Sequence, residues 1–93
     1  MSKTYNVSLI SDSTGETLDR IFVSLKAQFG EIKYDVKQFS FTRTENQISK
    51  IIEKYKKKKN PIILFTIVDI ELSNYLKKSV QMKRSLVMVL LKN

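Results

Sequence analysis

Apolar positions change period several times along the chain, and each change predicts a new element. Tyr5–Ile10 has the length and composition of a strand. Leu18, Ile21, Phe22, Leu25 and Phe29 then recur at helical spacing and make one apolar stripe. Gly30 stands where a left-handed helix cap is expected. Ile32, Tyr34 and Val36 alternate with Lys33, Asp35 and Lys37, the pattern of a strand with one wet face. A second helix carries Ile48, Ile51, Ile52 and Tyr55 on one side, and Asn60-Pro61 ends it. Ile62–Val68 is almost wholly apolar, as in a central strand covered on both faces. Asp69 opens a third helix with Leu72, Tyr75 and Leu76 inward, and Leu86–Leu91 is a last strand candidate.

The resulting order, β-α-β-α-β-α-β, predicts an α/β fold with a parallel four-stranded sheet and right-handed crossovers. The amphipathic second strand belongs at an edge, so the expected strand order is 2-1-3-4, Rossmann-like, in one domain spanning residues 1–93. The fourth strand would then lie at an open edge although it is apolar on both faces. That predicts a covering partner, a homodimer through this strand, or a further strand beyond the end of the chain.

Composition narrows the chemistry. The chain has no cysteine and no histidine, which removes disulfides, thiolate chemistry, His-based acid–base catalysis and zinc sites of the usual kind. No apolar stretch is long enough for a membrane span, and Met1–Val7 lacks a signal-peptide pattern, so a soluble cytoplasmic protein is expected. The net charge of +8 is lopsided. Residues 1–50 hold seven basic and six acidic side chains, residues 51–93 ten and three. Such a half favours an acidic partner.

Candidate sites follow from topology, because ligands of parallel α/β sheets bind beyond the carboxyl ends of strands where the order reverses. Ser11–Thr17 lies there. Gly15 lets the backbone approach a ligand, free amides of the first helical turn favour an anion, and Ser11, Ser13, Thr14 and Thr17 carry hydroxyls. The competing expectation is a Ser13-x-x-Glu16 capping box, with Asp12 and Glu16 repelling an anion. Arg43 follows the second strand and is placed either to fork onto a phosphate or carboxylate or to sit beside a Thr44-x-x-Gln47 capping box. Asp69 reads as a helix cap, with an acid or magnesium role as the alternative. Lys56, Lys57, Lys58 and Lys59 form either a solvated helix end or a basic docking patch, and the lack of an aromatic residue in the run disfavours nucleic acid. A P-loop, G-x-x-x-x-G-K-[ST], is absent from these residues.

The segments ISDSTGETL (Ile10–Leu18), Ala27-Gln28-Phe29, Phe41-x-Arg43-Thr44 and LFTIVDIEL (Leu64–Leu72) occur in that order. Together they resemble the amino-terminal region of the regulatory proteins of pyruvate, phosphate dikinase and phosphoenolpyruvate synthase, over about residues 5–80. The resemblance implies a bifunctional enzyme. It would phosphorylate a threonine of the target dikinase or synthase with ADP as donor, and remove that phosphate with inorganic phosphate to give pyrophosphate. Family members carry their P-loop in a later domain, so these residues alone are expected to bind no cofactor and to be inactive. The implied role of Ser11, Asp12, Ser13, Thr14, Gly15, Thr17 and Arg43 is phosphate or substrate contact. The tail departs from the family, with Lys83-Arg84-Ser85 where an Ile-Pro-Cys strand entry is usual.

Overall fold

A computed structural model of the protein describes residues 4–29, 33–81 and 87–90. Its elements are β1 (Thr4–Ser11), α1 (Glu16–Phe29), β2 (Lys33–Phe39), α2 (Glu45–Tyr55), β3 (Pro61–Thr66), α3 (Ile70–Gln81) and β4 (Val87–Leu90). The expected cap at Gly30 and the expected strand position of Ile32 lie outside the described residues.

The sheet is parallel and β1 lies between β2 and β3. Thr4–Ile10 pair with Lys33–Phe39 on one side of β1, and Asn6–Ser11 pair with Pro61–Thr66 on the other. This 2-1-3 order is the one the amphipathic pattern predicts. On the far side of β3, Ile62–Phe65 pair with the backbone of Val87–Leu90. The side chains of β4, on which the expected homodimer contact rests, lie outside the described residues.

Alternation along the strands sends side chains to two cores. Val7, Leu9 and Leu64 face α1 and pack with Leu18 and Phe22. Ile10, Ile63 and Phe65 face the opposite way and pack with Ile48, Ile51, Ile52, Tyr55, Leu72, Leu76 and Val80 of α2 and α3. One helix covers one face and two cover the other, so β1 and β3 are covered on both faces. Tyr75, expected inward, is half-buried, and its hydroxyl meets Ser49 of α2 at 2.5 Å.

Three local starts and stops fix where the loops begin. Thr44 caps α2 through the predicted box: its Oγ1 accepts from the Gln47 amide at 3.1 Å, and Gln47 Oε1 accepts from the Thr44 amide at 3.0 Å. Asp69 caps α3, its Oδ1 accepting from the Leu72 amide at 2.9 Å. Pro61 opens β3, where a missing N–H does no harm to the ladder. Asn60 before it takes a left-handed φ of 49°, a conformation that asparagine tolerates better than most residues.

Two exposures differ from the pattern. Val68, expected inside the third strand, is 77% exposed, because the strand ends at Thr66 and the chain turns towards α3. Val36 was expected to face inward with Tyr34 but is 38% exposed. Within β2, Tyr34 and Phe39 are half-buried and the rest is exposed, so this strand is anchored mainly by two aromatic contacts. Tyr34 meets Phe22 edge-on at 5.4 Å, and Phe39 meets Tyr55 edge-on at 6.0 Å.

Ser8 sits on the same face of β1 as Ile10. Its hydroxyl is fully buried and has no hydrogen-bond partner among the described residues. Desolvating a hydroxyl without a partner opposes folding. Ser8→Ala is therefore expected to leave stability unchanged or to raise it by up to about 1 kcal/mol. Ile10→Ala, two residues away, is expected to cost about 2–5 kcal/mol. Urea denaturation of both variants checks this, and a comparable loss for the two would contradict it.

Candidate functional site

β1 ends at Ser11, and its neighbours β2 and β3 leave the sheet through separate loops at the same end. The chain beyond β1 therefore enters a cleft between two loops rather than open solvent. The cleft has a volume of about 230 Å³ and is lined by Ser11–Leu18, Thr66 and Val68. A larger depression of about 560 Å³ lies between α2 and α3, lined by Glu45, Glu71, Asn74, Tyr75, Lys77 and Lys78. The smaller one is where the sheet order reverses and where the predicted residues gather.

The carbonyls of five consecutive residues are all bound by the end of β2 and the residues that follow it, Gln38–Arg43. Ser11 O accepts from the Thr42 amide at 2.8 Å, and Ser13 O from the Phe41 amide at 2.9 Å. Asp12 O accepts from Arg43 Nε at 3.1 Å, Thr14 O from Ser40 Oγ at 2.8 Å, and Gly15 O from Gln38 Nε2 at 3.2 Å. Every described peptide bond is trans, so each amide after these carbonyls points away from Gln38–Arg43. The Ser13 amide turns back onto Ser11 Oγ at 3.1 Å. The amides from Thr14 to Leu18 have no acceptor among the described residues. Residues Thr14–Leu18 line the cleft, with Thr66 and Val68 on its β3 side.

The Ser13-x-x-Glu16 capping box does not form. α1 begins at Glu16, and its first backbone bond runs from the Asp19 amide to Gly15 O at 2.9 Å. Gly15 therefore holds the capping position. Ser13 lies too far upstream, and its hydroxyl pairs with that of Ser11 at 3.2 Å. The first helical amides are thus left without an internal cap, which favours an anion there. Glu16 and Thr17 are exposed at the mouth of the cleft. A carboxylate at that position would oppose an anion.

Asp12 is engaged internally. Its Oδ2 accepts from the Val68 amide at 2.8 Å and ties the β1 loop to the β3 loop. Arg43 lies outside the cleft lining, with its guanidinium 5.3 Å from the centre of the Phe41 ring. It uses Nε on Asp12 O, and its terminal nitrogens have no partner among the described residues. Phe41 itself holds a left-handed φ of 54° and is 52% exposed, a strained position for an aromatic residue. Asp69 stands beside this cluster as an exposed helix cap.

Lys56–Lys59 lie at the other end of the sheet. α2 stops at Tyr55, Lys56 Nζ pairs with Glu53 at 2.7 Å, and Lys59 O accepts from Asn6 Nδ2 at 2.6 Å. Asn6 is near the start of β1, about 17 Å from Ser11 at the usual strand rise. The run and the loop cannot share one small ligand.

Gln38, Ser40 and Thr42 are site-building residues that composition did not single out. The buried Thr42 donates its hydroxyl to Phe39 O at 3.0 Å and closes the turn that aims this segment. The available signal was a run of polar side chains at every second position as β2 ends. Gly15 has a φ of +85°, and a Cβ there would stand 3.1 Å from Gln38 Nε2 and 3.4 Å from Ser40 Oγ. Gly15→Ala is expected to cost about 1–2 kcal/mol and to shift the amide resonances of Gln38–Arg43. Thermal melts and amide spectra check this, and an unperturbed 38–43 segment would contradict it.

The kinase/pyrophosphorylase family matches residues 7–93. The chain is 64% identical over 76 residues to a pyruvate, phosphate dikinase regulatory protein of Pelagibacter ubique, covering 82% of this chain and 28% of the relative. It is 39% identical over 70 residues to the protein of that name from Ligilactobacillus salivarius, covering 75% and 26%. With the Ehrlichia chaffeensis protein of that name the figures are 38% over 77 residues, covering 83% and 28%. The chain thus spans little more than a quarter of the length of these relatives. By the match over residues 7–93, the chain belongs to the kinase/pyrophosphorylase family.

Proposed function

We propose that this chain is the amino-terminal part of a bifunctional enzyme that regulates pyruvate, phosphate dikinase or phosphoenolpyruvate synthase in the cytoplasm. Its Ser11–Thr17 loop forms the phosphate- or substrate-facing wall of the active site. One observation carries this reading. The carbonyls of Ser11–Gly15 are held by Gln38–Arg43, while the Thr14–Leu18 amides have no acceptor among the described residues and belong to residues that line an open cleft where the sheet order reverses.

Phosphoryl transfer asks a protein chiefly for positioning and for stabilisation of charge on the phosphoryl oxygens. The loop amides and the start of α1 supply fixed positive partial charge without a proton transfer. The hydroxyls of Ser13, Thr14 and Thr17 add donors at the rim. Arg43 is a second donor, set over the Phe41 ring, and its terminal nitrogens, without a partner among the described residues, can fork onto a phosphate. In the forward reaction the β-phosphoryl group of ADP passes to a threonine hydroxyl of the target and AMP leaves. In the reverse regulatory reaction inorganic phosphate attacks the phosphothreonine, releasing the hydroxyl and pyrophosphate. These 93 residues contain no P-loop, so the nucleotide phosphates fall to a later part of the family protein. The chain is then inactive alone.

The test is a chimaera in which this chain replaces the matching segment of the Pelagibacter ubique relative. Threonine phosphorylation of dikinase with ADP, and its reversal with phosphate, are both read. The chimaera is expected to catalyse both. Arg43→Gln, on an exposed side chain, is expected to slow both by at least about tenfold. Gly15→Val, which breaks the amide wall, is expected to slow both by about a hundredfold. Retention of both activities in both variants would overturn the reading.

A further inference from the structure

The packing of α2 on β2 gathers lysines that are far apart in sequence. The Phe39 ring meets Tyr55 at 6.0 Å, which sets the last turn of α2 over one face of β2. Lys37 lies two residues before Phe39 and shares that face. Lys54 precedes Tyr55, and the Phe39–Tyr55 contact brings it near enough to Lys37 for the two ammonium groups to repel. Lys58 follows Lys54 four residues on, just past the helix end.

Lys54 shows the cost of this arrangement. The contact with Lys37 holds its ammonium below the ordinary lysine range, followed by the charge of Lys37, slight desolvation and the charge of Lys58. No carboxylate contributes. Asp35, on the same strand face, acts instead on Tyr55, whose hydroxyl is pushed up first by burial and then by that carboxylate. An anion placed among Lys37, Lys54 and Lys58 would relieve repulsion as well as form new contacts.

The neighbouring backbone narrows the class of partner. β2 is the terminal strand of the sheet, so among the described residues its outer N–H and C=O groups have no ladder partner. Lys33 and Lys37 on such an edge disfavour pairing with a second copy and favour a strand of opposite charge. A nucleic acid finds less here. The aromatic rings on this face, Phe39 and Tyr55, pack against each other, and Phe41, the one aromatic among the exposed large apolar residues described, belongs to the loop cluster, so no exposed ring stands beside the lysines to stack a base.

We propose that Lys37, Lys54 and Lys58, together with the free edge of β2, dock an extended acidic polypeptide segment. Main-chain bonds to Lys33–Phe39 would add a strand, and alternate carboxylates would meet the lysines. This does not rest on the phosphoryl-transfer reading.

The full 93-residue chain is titrated with a short blocked peptide alternating Glu and Thr, followed by amide NMR. Shifts on Lys33–Phe39 and Lys54–Lys58 are expected, with slowed exchange of the outward β2 amides. Binding should weaken as salt rises from about 50 to about 300 mM. Lys37→Gln and Lys54→Gln should each weaken it roughly threefold to tenfold. Three results would overturn the proposal: no shift at these amides, equal binding of the Gln–Thr peptide, or tighter binding of oligothymidylate than of the acidic peptide.

Discussion

The carbonyl oxygens of Ser11, Asp12, Ser13, Thr14 and Gly15 are all bound by donors from Gln38–Arg43, and the shape of the carboxyl end of the sheet depends on that zipper. A loop between a strand and a helix usually spends its own side chains to satisfy its backbone. Here the neighbouring strand's extension supplies the donors. The amides of Thr14–Leu18 have no acceptor among the described residues, and these residues line the cleft. Asp12 completes the arrangement by accepting from the Val68 amide, so three loops are tied together. The same bonds exclude the local alternative, because the Ser13 hydroxyl is held by Ser11 and the helix starts beyond its reach.

The scaffold beneath explains why the zipper can be held. β1 is packed on both faces, by Leu18 and Phe22 on one side and by Ile48, Ile51 and Ile52 on the other. Its end is therefore fixed against both helical layers. β2 has fewer buried side chains and relies on Tyr34 and Phe39. Its bonds to the Ser11–Gly15 loop consequently anchor the strand as much as they shape the loop. Two residues of this junction, Gly15 and Phe41, hold a left-handed φ. Glycine adopts that conformation without penalty, whereas Phe41 does not. The strain at Phe41 is offset by its amide bond to Ser13 and its contact with Arg43.

Much of this was legible in the sequence because it is written locally. The 2-1-3 order follows from an amphipathic second strand and an apolar third. The Thr44–Gln47 box and the Asp69 cap follow from short-range spacing, and both formed as read. The start of α1 was not legible. Ser13, Thr14 and Gly15 are all acceptable caps, and the choice among them is made by bonds spanning 23 to 31 residues. Val68 misled for a related reason: its apolar neighbours suggested a longer strand, but its amide is claimed by Asp12, 56 residues away. The meeting of Lys37 with Lys54 was equally hidden, since it arises from the aromatic contact between β2 and α2. The family resemblance carried by ISDSTGETL was legible, and the match over residues 7–93 agrees with it.

The most direct measurement is an amide-resolved titration of the chain with inorganic phosphate. If the zipper turns the loop amides into the cleft, phosphate should shift the resonances of Thr14–Leu18 and the side-chain signals of Arg43. The amides of Phe41 and Thr42, already committed to Ser13 and Ser11, should move little. Still resonances at Thr14–Leu18, with changes confined to Lys54–Lys59, would contradict the account and leave the loop a structural junction.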